Sequence, residues 1–161
     1  MIRINLITVG KLKEKYWRDA AEEYAKRLRP FCQLEIIEIA ESRLPDAPSE
    51  KETASALSAE AKSIGAYTCK KGAYNIAMCI EGRQLSSEKL AAKINECGTN
   101  GFSTLNFIIG SSFGISEEIK NKAHLRLSMS EMTFPHQLAR IMLLEQIYRS
   151  FQIVNHTKYH K

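Results

Sequence analysis

The sequence contains no apolar run approaching the roughly 20 residues a membrane-spanning helix needs. It holds no Cys-x-x-Cys pair either. Its four cysteines, Cys32, Cys69, Cys79 and Cys97, stand far apart, which suits neither a zinc site nor the disulfide framework of a small secreted fold. Reduced, mostly buried thiols and no metal are expected. The N-terminus lacks an apolar signal-peptide core, and Met1–Leu6 reads as a strand, so a cytoplasmic protein is expected. Internal repeats and low-complexity segments are also missing. What remains is one domain, since 161 residues can bury a core without staples. Hydrophobic residues at 44% and charged residues at 25% are ordinary for such a domain.

Charge is the first positive signal. The formal net charge is +5 and the pI about 9.0, a modest bias toward an anionic partner. The cations are spread: Lys11, Lys13 and Lys15 cluster early, Lys70-Lys71 form a turn, and the C-terminus adds its own group.

Periodicity then gives the class. Residues 2–9 read as a strand ending at Gly10. From Glu14 the stripe Trp17, Ala21, Tyr24, Leu28 has helical spacing and stops at Pro30. Residues 34–39 form a second strand. Ser49 is placed to cap a helix that Gly65 is expected to end, and residues 74–80 form a strand turned by Glu81-Gly82-Arg83. Ser86 opens another helix, 105–109 is a buried strand, Ser116 starts a brief helix, and 125–129 is the last strand. A helix over 134–154 closes the chain, with Leu138, Ile141, Met142, Leu144, Ile147 and Phe151 as its apolar side. Alternating strands and helices specify an α/β fold, a mostly parallel sheet covered by helices on both faces. Ligands of such sheets sit beyond the carboxyl ends of the strands, which nominates three loops: Glu81-Gly82, Gly110–Gly114 and Met129–Pro135.

Gly110-Ser111-Ser112-Phe113-Gly114 lacks the Gly-Lys-Ser/Thr of a Walker loop and the G-x-G-x-x-G of a dinucleotide site. By itself it is an ordinary βα turn. Met129–Gln137 joins a strand end to a Pro-initiated helix, where unpaired backbone groups gather between apolar side chains. Such a loop can read an adenine edge through its main chain, or be no more than a capped helix start. The terminal His156-Thr157-Lys158-Tyr159-His160-Lys161 carries two imidazoles, two ammoniums and a phenol with no acidic side chain. It reads as a solvated basic tail or as an RNA contact.

Three blocks decide between these readings. Gly10–Trp17, Met132-Thr133-Phe134-Pro135-His136-Gln137, and Glu145-Gln146-Ile147-Tyr148-Arg149-Ser150-Phe151 with terminal Tyr159-His160-Lys161 closely resemble the RNA large subunit methyltransferase H family. These are SPOUT-class enzymes that methylate N3 of a pseudouridine in 23S rRNA, and the resemblance runs from the first strand to the last residue. It implies an α/β knot, with the C-terminal part threaded to make an S-adenosylmethionine pocket, and a homodimer acting on the assembled ribosome. Carried over by position, cofactor contacts fall on Met78, Gly110, Met129, Ser130, Glu131, Met132, Thr133 and Phe134. His160 becomes the proton acceptor or base-orienting group, Tyr159 the residue that stacks on the target base, and Arg149 a phosphate-holding residue at the same centre. Lys11, Lys13, Lys158 and Lys161 would face RNA. The chain departs from the family at Ser111, where a second Gly is common, and at Cys79, where an acidic residue is common. A Ser at a position needing positive φ costs free energy; the expectation in that case is an RNA-binding protein with an impaired cofactor pocket.

Overall fold

The computed structural model describes residues 1–160; the sequence reading of Lys161 lies outside them. In chain order the elements are β1 (Arg3–Val9), α1 (Lys15–Leu28), β2 (Gln33–Ile39), α2 (Glu50–Thr68), β3 (Ala73–Gln84), α3 (Ser87–Thr99), β4 (Thr104–Ile109), α4 (Glu117–Lys122), β5 (Leu125–Ser128) and α5 (His136–Val154). The strands form one sheet in the order β2-β1-β4-β3-β5, and every pairing is parallel. Among the described residues no helix is long and apolar enough to cross a membrane.

Alternation along β1 sorts the core into two halves, because successive side chains of a strand point to opposite faces. Ile4 and Leu6 pack with Leu28 of α1, Leu90 and Ile94 of α3, and Leu143, Leu144 and Ile147 of α5. Ile7 and Val9 pack with Ala61 and Ile64 of α2 and Ile119 of α4. Helices therefore cover both faces, as the alternation of elements implies. In α5, Leu144 and Ile147 of the expected stripe are buried, and so are Arg140, Leu143, Ser150 and Gln152. More than one side of α5 is covered because α1 and α3 flank it.

One row crosses the sheet without an apolar side chain. Asn5, Asn106 and Asn75 lie in register on β1, β4 and β3. Asn5 Nδ2 donates to Asn106 Oδ1 at 2.8 Å, and Asn106 Nδ2 donates to Asn75 Oδ1 at 2.8 Å. The row also caps α2: Asn75 Nδ2 donates to the Thr68 carbonyl (2.8 Å) and Asn106 Nδ2 to that of Tyr67 (3.3 Å). This explains one departure from the sequence reading. Gly65 does not end α2, which runs three residues further, to Thr68, because partners on the sheet wait for its last carbonyls. Its start is as expected, a capping box between Ser49 and Glu52.

The second departure is at Gly82. Glu81-Gly82-Arg83 is not a turn; β3 continues through it to Gln84, changing register against β5 between Met78 and Arg83. A Cβ on Gly82 would lie 2.7 Å from the Leu127 carbonyl carbon and 2.8 Å from that of Arg126. The glycine is there for close approach of two backbones, not for a bend.

Candidate functional site

The two loops nominated after β4 and β5 meet at one cleft of about 560 Å³, joined there by Glu81 from within β3 rather than from a loop; the size is typical of cofactor sites. It opens where β3 leaves β4, at the carboxyl ends of β4 and β5. Met78, Gly110, Met129, Ser130, Met132, Thr133 and Phe134 line it, together with Ile109, Ile115 and Leu127 as apolar walls. Glu131 is the exception among the expected contacts: it is exposed and does not line the cleft. His136, read from the sequence as a structural histidine rather than a contact, does line it.

The local reasons are visible in the chain. Pro135 begins α5 with no side-chain cap, so the first amides of that helix are open donors at the rim. Ser130 shapes the preceding loop: its hydroxyl accepts from the Met132 amide at 3.0 Å, and its carbonyl accepts from Ser128 Oγ at 3.0 Å. At the β4 end, the Gly114 amide donates to the Ser111 carbonyl (2.8 Å) in a tight bridge. Gly110 tolerates that bridge because it has no side chain; a Cβ there would stand 2.1 Å from the Gly114 carbonyl oxygen. Ser111 is not in the positive-φ region, in which His156 is the one non-glycine among the described residues. The conformational penalty expected of Ser111 does not arise, and with it goes the ground for an impaired pocket.

The terminal residues form a second centre. Glu145 is its hub, accepting from Tyr159 Oη at 2.9 Å and pairing with Arg149 Nη2 at 2.8 Å. The Arg149 guanidinium lies 4.8 Å over the Tyr159 ring, and Tyr148 meets the same ring edge-on at 5.0 Å. Arg149 Nη1 is 3.3 Å from His160 Nδ1, and His160 Nε2 is 2.7 Å from Glu88 Oε1 at the start of α3. A guanidinium has no acceptor, so Nδ1 must accept and Nε2 must carry the proton given to Glu88. Hydrogen bonds from its own amide, from Ser86 and from His160 hold the Glu88 carboxyl down to about 2. Both ring nitrogens of His160 are thus engaged in this arrangement.

The structure therefore brings Arg149, Tyr159 and His160 together, and separately assembles the cleft. It does not join the two: none of the three lines the cleft. Arg149 sits between three and four turns along α5 from His136, about 20 Å at ~1.5 Å per residue. A second hollow of about 520 Å³, among α1, α3 and α5, has Glu145 on its wall and shares Met78, Leu127, Ser128 and Met129 with the cleft. Lys11 and Lys13 are exposed just after β1, where Arg18 fixes their loop by donating to the Leu12 and Lys13 carbonyls. Lys158 is exposed in the tail. Sequence reasoning missed Glu88 and Lys120, which carry no local signal, and quoted Glu145 only as part of a block. Among the described residues no three His, Cys, Asp or Glu side chains are placed to hold a metal ion.

Tyr24 of α1 reports on the hub. Burial, then a hydrogen bond to Glu145, push its phenol up to about 12. A raised folded-state pKa contributes stability that is present below the ordinary tyrosine value, ~10, and is lost as pH climbs toward 12. Tyrosinate absorbance should show late-ionising phenols, Tyr24 the latest with Tyr74 and Tyr159 also raised, and Glu145→Gln should bring Tyr24 and Tyr159 down; an unchanged titration in that variant would place the cause elsewhere.

The parallel five-stranded sheet covered by helices is an α/β fold shared with a solved structure. A probable methylase family protein from Haemophilus influenzae Rd KW20 matches over 99% of this chain and 71% of that one, with a TM-score of 0.59 at 14% identity. The family model described as "Predicted SPOUT methyltransferase" matches residues 2–160, and the chain belongs to this family of methyltransferases. Proteins called ribosomal RNA large subunit methyltransferase H in Clostridium beijerinckii and Clostridium perfringens are 48% and 46% identical over 160 residues, 99% of this chain and 100% of each relative.

Proposed function

We propose that this methyltransferase takes its methyl group from S-adenosylmethionine and delivers it to N3 of a pseudouridine in 23S rRNA of the large ribosomal subunit. The observation that carries the reading is the convergence of the loops after β4 and β5, with Glu81 of β3, on one cleft. The names of the full-length relatives supply the RNA.

The residues present fit the cofactor. Met78, Leu127, Met129 and Phe134 offer apolar walls for an adenosine, and the uncapped amides of α5 with the Ser128–Phe134 main chain offer the donors and acceptors an adenine edge requires. S-adenosylmethionine supplies a methyl group already activated on a sulfonium. The chain's task is then to hold the base in line and to take up the imide proton. Positioning of that kind is worth about 7–11 kcal/mol. Once His160 leaves Arg149 and Glu88, its Nδ1 is the proton acceptor, the Tyr159 ring stacks on the base, and Arg149, Lys158 and Lys161 hold phosphate. Lys11 and Lys13 extend that cationic edge.

Because no described tail residue lines the cleft of its own chain, the reading includes a homodimer in which one subunit's tail serves the other's cleft. It places the protein in the cytoplasm, on the assembled ribosome. The close backbone crossing at Gly82 supports the threaded, knotted arrangement that the family resemblance implies. Calorimetric titration with S-adenosylmethionine, followed by methyl transfer to ribosomes lacking the mark, tests the reading. A folded protein that binds no cofactor would end it.

A further inference from the structure

Among the described residues, only two carboxylate or ammonium groups line the cleft, Glu81 from β3 and Lys120 from α4. They meet: Lys120 Nζ lies 2.5 Å from Glu81 Oε1, with Glu117 at 3.6 Å on the same ammonium. The Lys120 side chain is 14% exposed, that of Glu81 53%. Burial works against the Lys120 ammonium and is the largest single effect on it, but the hydrogen bond and charge of Glu81, with the charge of Glu117, together outweigh it; Lys120 in turn holds the Glu81 carboxyl below its ordinary range. Both groups are charged at neutral pH.

As a tether between α4 and β3 the pair would contribute little, since partly exposed ion pairs are weak. As a recognition element it has unused capacity. An ammonium has three donors and a carboxylate about four acceptor sites; the mutual contact consumes one of each and the Glu81 amide takes a second acceptor site, with Glu117 at 3.6 Å beside the ammonium, which leaves sites on both groups unused. The rest of the cleft is apolar side chain, main chain and uncharged hydroxyls, with the His136 imidazole at the start of α5. That suits an adenosine and leaves the zwitterionic end of the cofactor with no other charged partner in this chain's cleft wall. An α-amino acid carries its ammonium and carboxylate on one carbon, so an adjacent Lys and Glu can meet both at once.

We propose that Glu81 and Lys120 read the amino-acid end of S-adenosylmethionine, Lys120 taking the α-carboxylate and Glu81 the α-ammonium. The inference rests on the cofactor reading above. It is tested by titrating the full chain with three ligands: S-adenosylmethionine, S-adenosylhomocysteine, and 5′-methylthioadenosine, which keeps the adenosine and sulfur and lacks the amino acid.

Lys120→Met and Glu81→Gln should each weaken the first two ligands by about ten- to a hundredfold, the range for a charge-assisted hydrogen bond, and leave methylthioadenosine unchanged. The double variant Glu81→Lys with Lys120→Glu keeps an ion pair and hence the tether; it should fold normally and still bind the two amino-acid ligands weakly. Wild-type affinity in that variant would reduce the pair to a tether and overturn the proposal. Equal weakening of all three ligands would overturn it too, by pointing to a distorted cleft. Weakening of S-adenosylmethionine alone in Glu81→Gln would move Glu81 to the sulfonium and refute the assignment. Failure of the wild-type chain to bind any of the three would sink the cofactor reading itself, a separate result.

Discussion

Removing Tyr159–Lys161 should leave cofactor affinity intact and lower methyl transfer by about 10²–10⁴-fold, the usual contribution of a placed proton acceptor. The two halves of that expectation have separate grounds. Cofactor affinity survives because no described residue of the tail lines the cleft. Turnover falls because the tail carries the only imidazole held beside a guanidinium and a phenol in one cluster among the described residues. His160→Ala should reproduce most of the loss, and Tyr159→Phe less, since the ring is kept. Folding should be little affected, as contacts of partly exposed pairs are weak. A truncated protein that turns over like the full chain would refute the assignment. Mixing tailless subunits with subunits damaged in the cleft extends the test: if one subunit's tail serves the other's cleft, mixed dimers regain activity that neither parent shows.

Damage to the cleft is best made at Gly110. Gly110→Ala should abolish useful cofactor binding, a fall of about a hundredfold or more, the scale of a 1 Å misplacement. The added Cβ would stand 2.1 Å from the Gly114 carbonyl oxygen and 2.9 Å from Ile115 Cγ1. Neither is the free end of a flexible side chain, so the Ser111–Gly114 bridge must open and the wall must move. Overpacking of this kind costs typically ~1–3 kcal/mol, and thermal unfolding should shift down by about 2–4 °C for each kcal/mol in a domain of this size. Ser111→Gly is the control. Ser111 already sits outside the positive-φ region, so that variant gives up the hydrogen bond from the Phe113 amide to Ser111 Oγ (3.3 Å) and the hydroxyl's contact with the Glu60 carboxyl, and should bind cofactor nearly as the parent does. The reverse order of effects would show that the second position of the loop, not the first, sets the pocket.

That comparison also shows where the sequence is informative. A strand followed by Gly110 and a strand end followed by Pro135 are local patterns, and they place the cleft correctly because ligands of parallel sheets gather at strand ends. The reading failed where tertiary partners override local rules. Gly65 looks like a helix stop until Asn75 and Asn106 supply partners for Tyr67 and Thr68. Gly82 looks like a turn until the β5 backbone is seen lying against it. Glu81 and Lys120 stand 39 positions apart, and no periodicity links them. Nor could spacing tell that the tail docks on Glu88 and Glu145 rather than at the cleft. Positions in contact across such distances are fixed by topology, which the helix and strand periods do not encode.

The asparagine row has a consequence for how the chain is assembled. Its two side-chain links join residues 31 and 101 positions apart, and the longer one involves the first strand. β1 is an interior strand, between β2 at the edge and β4 at the centre, yet β4 is made last but one of the strands. During synthesis the N-terminal third can pair β1 with β2 but must wait, with Asn5 unmatched, until Asn106 has left the ribosome. Contacts of such high sequence separation slow folding. The same wait gives a check on alignment: a slip of one residue would turn Asn5 toward the apolar cluster of α1, α3 and α5, and the sheet would not close. The β4-facing edge of the enzyme's first strand thus stays open through most of translation.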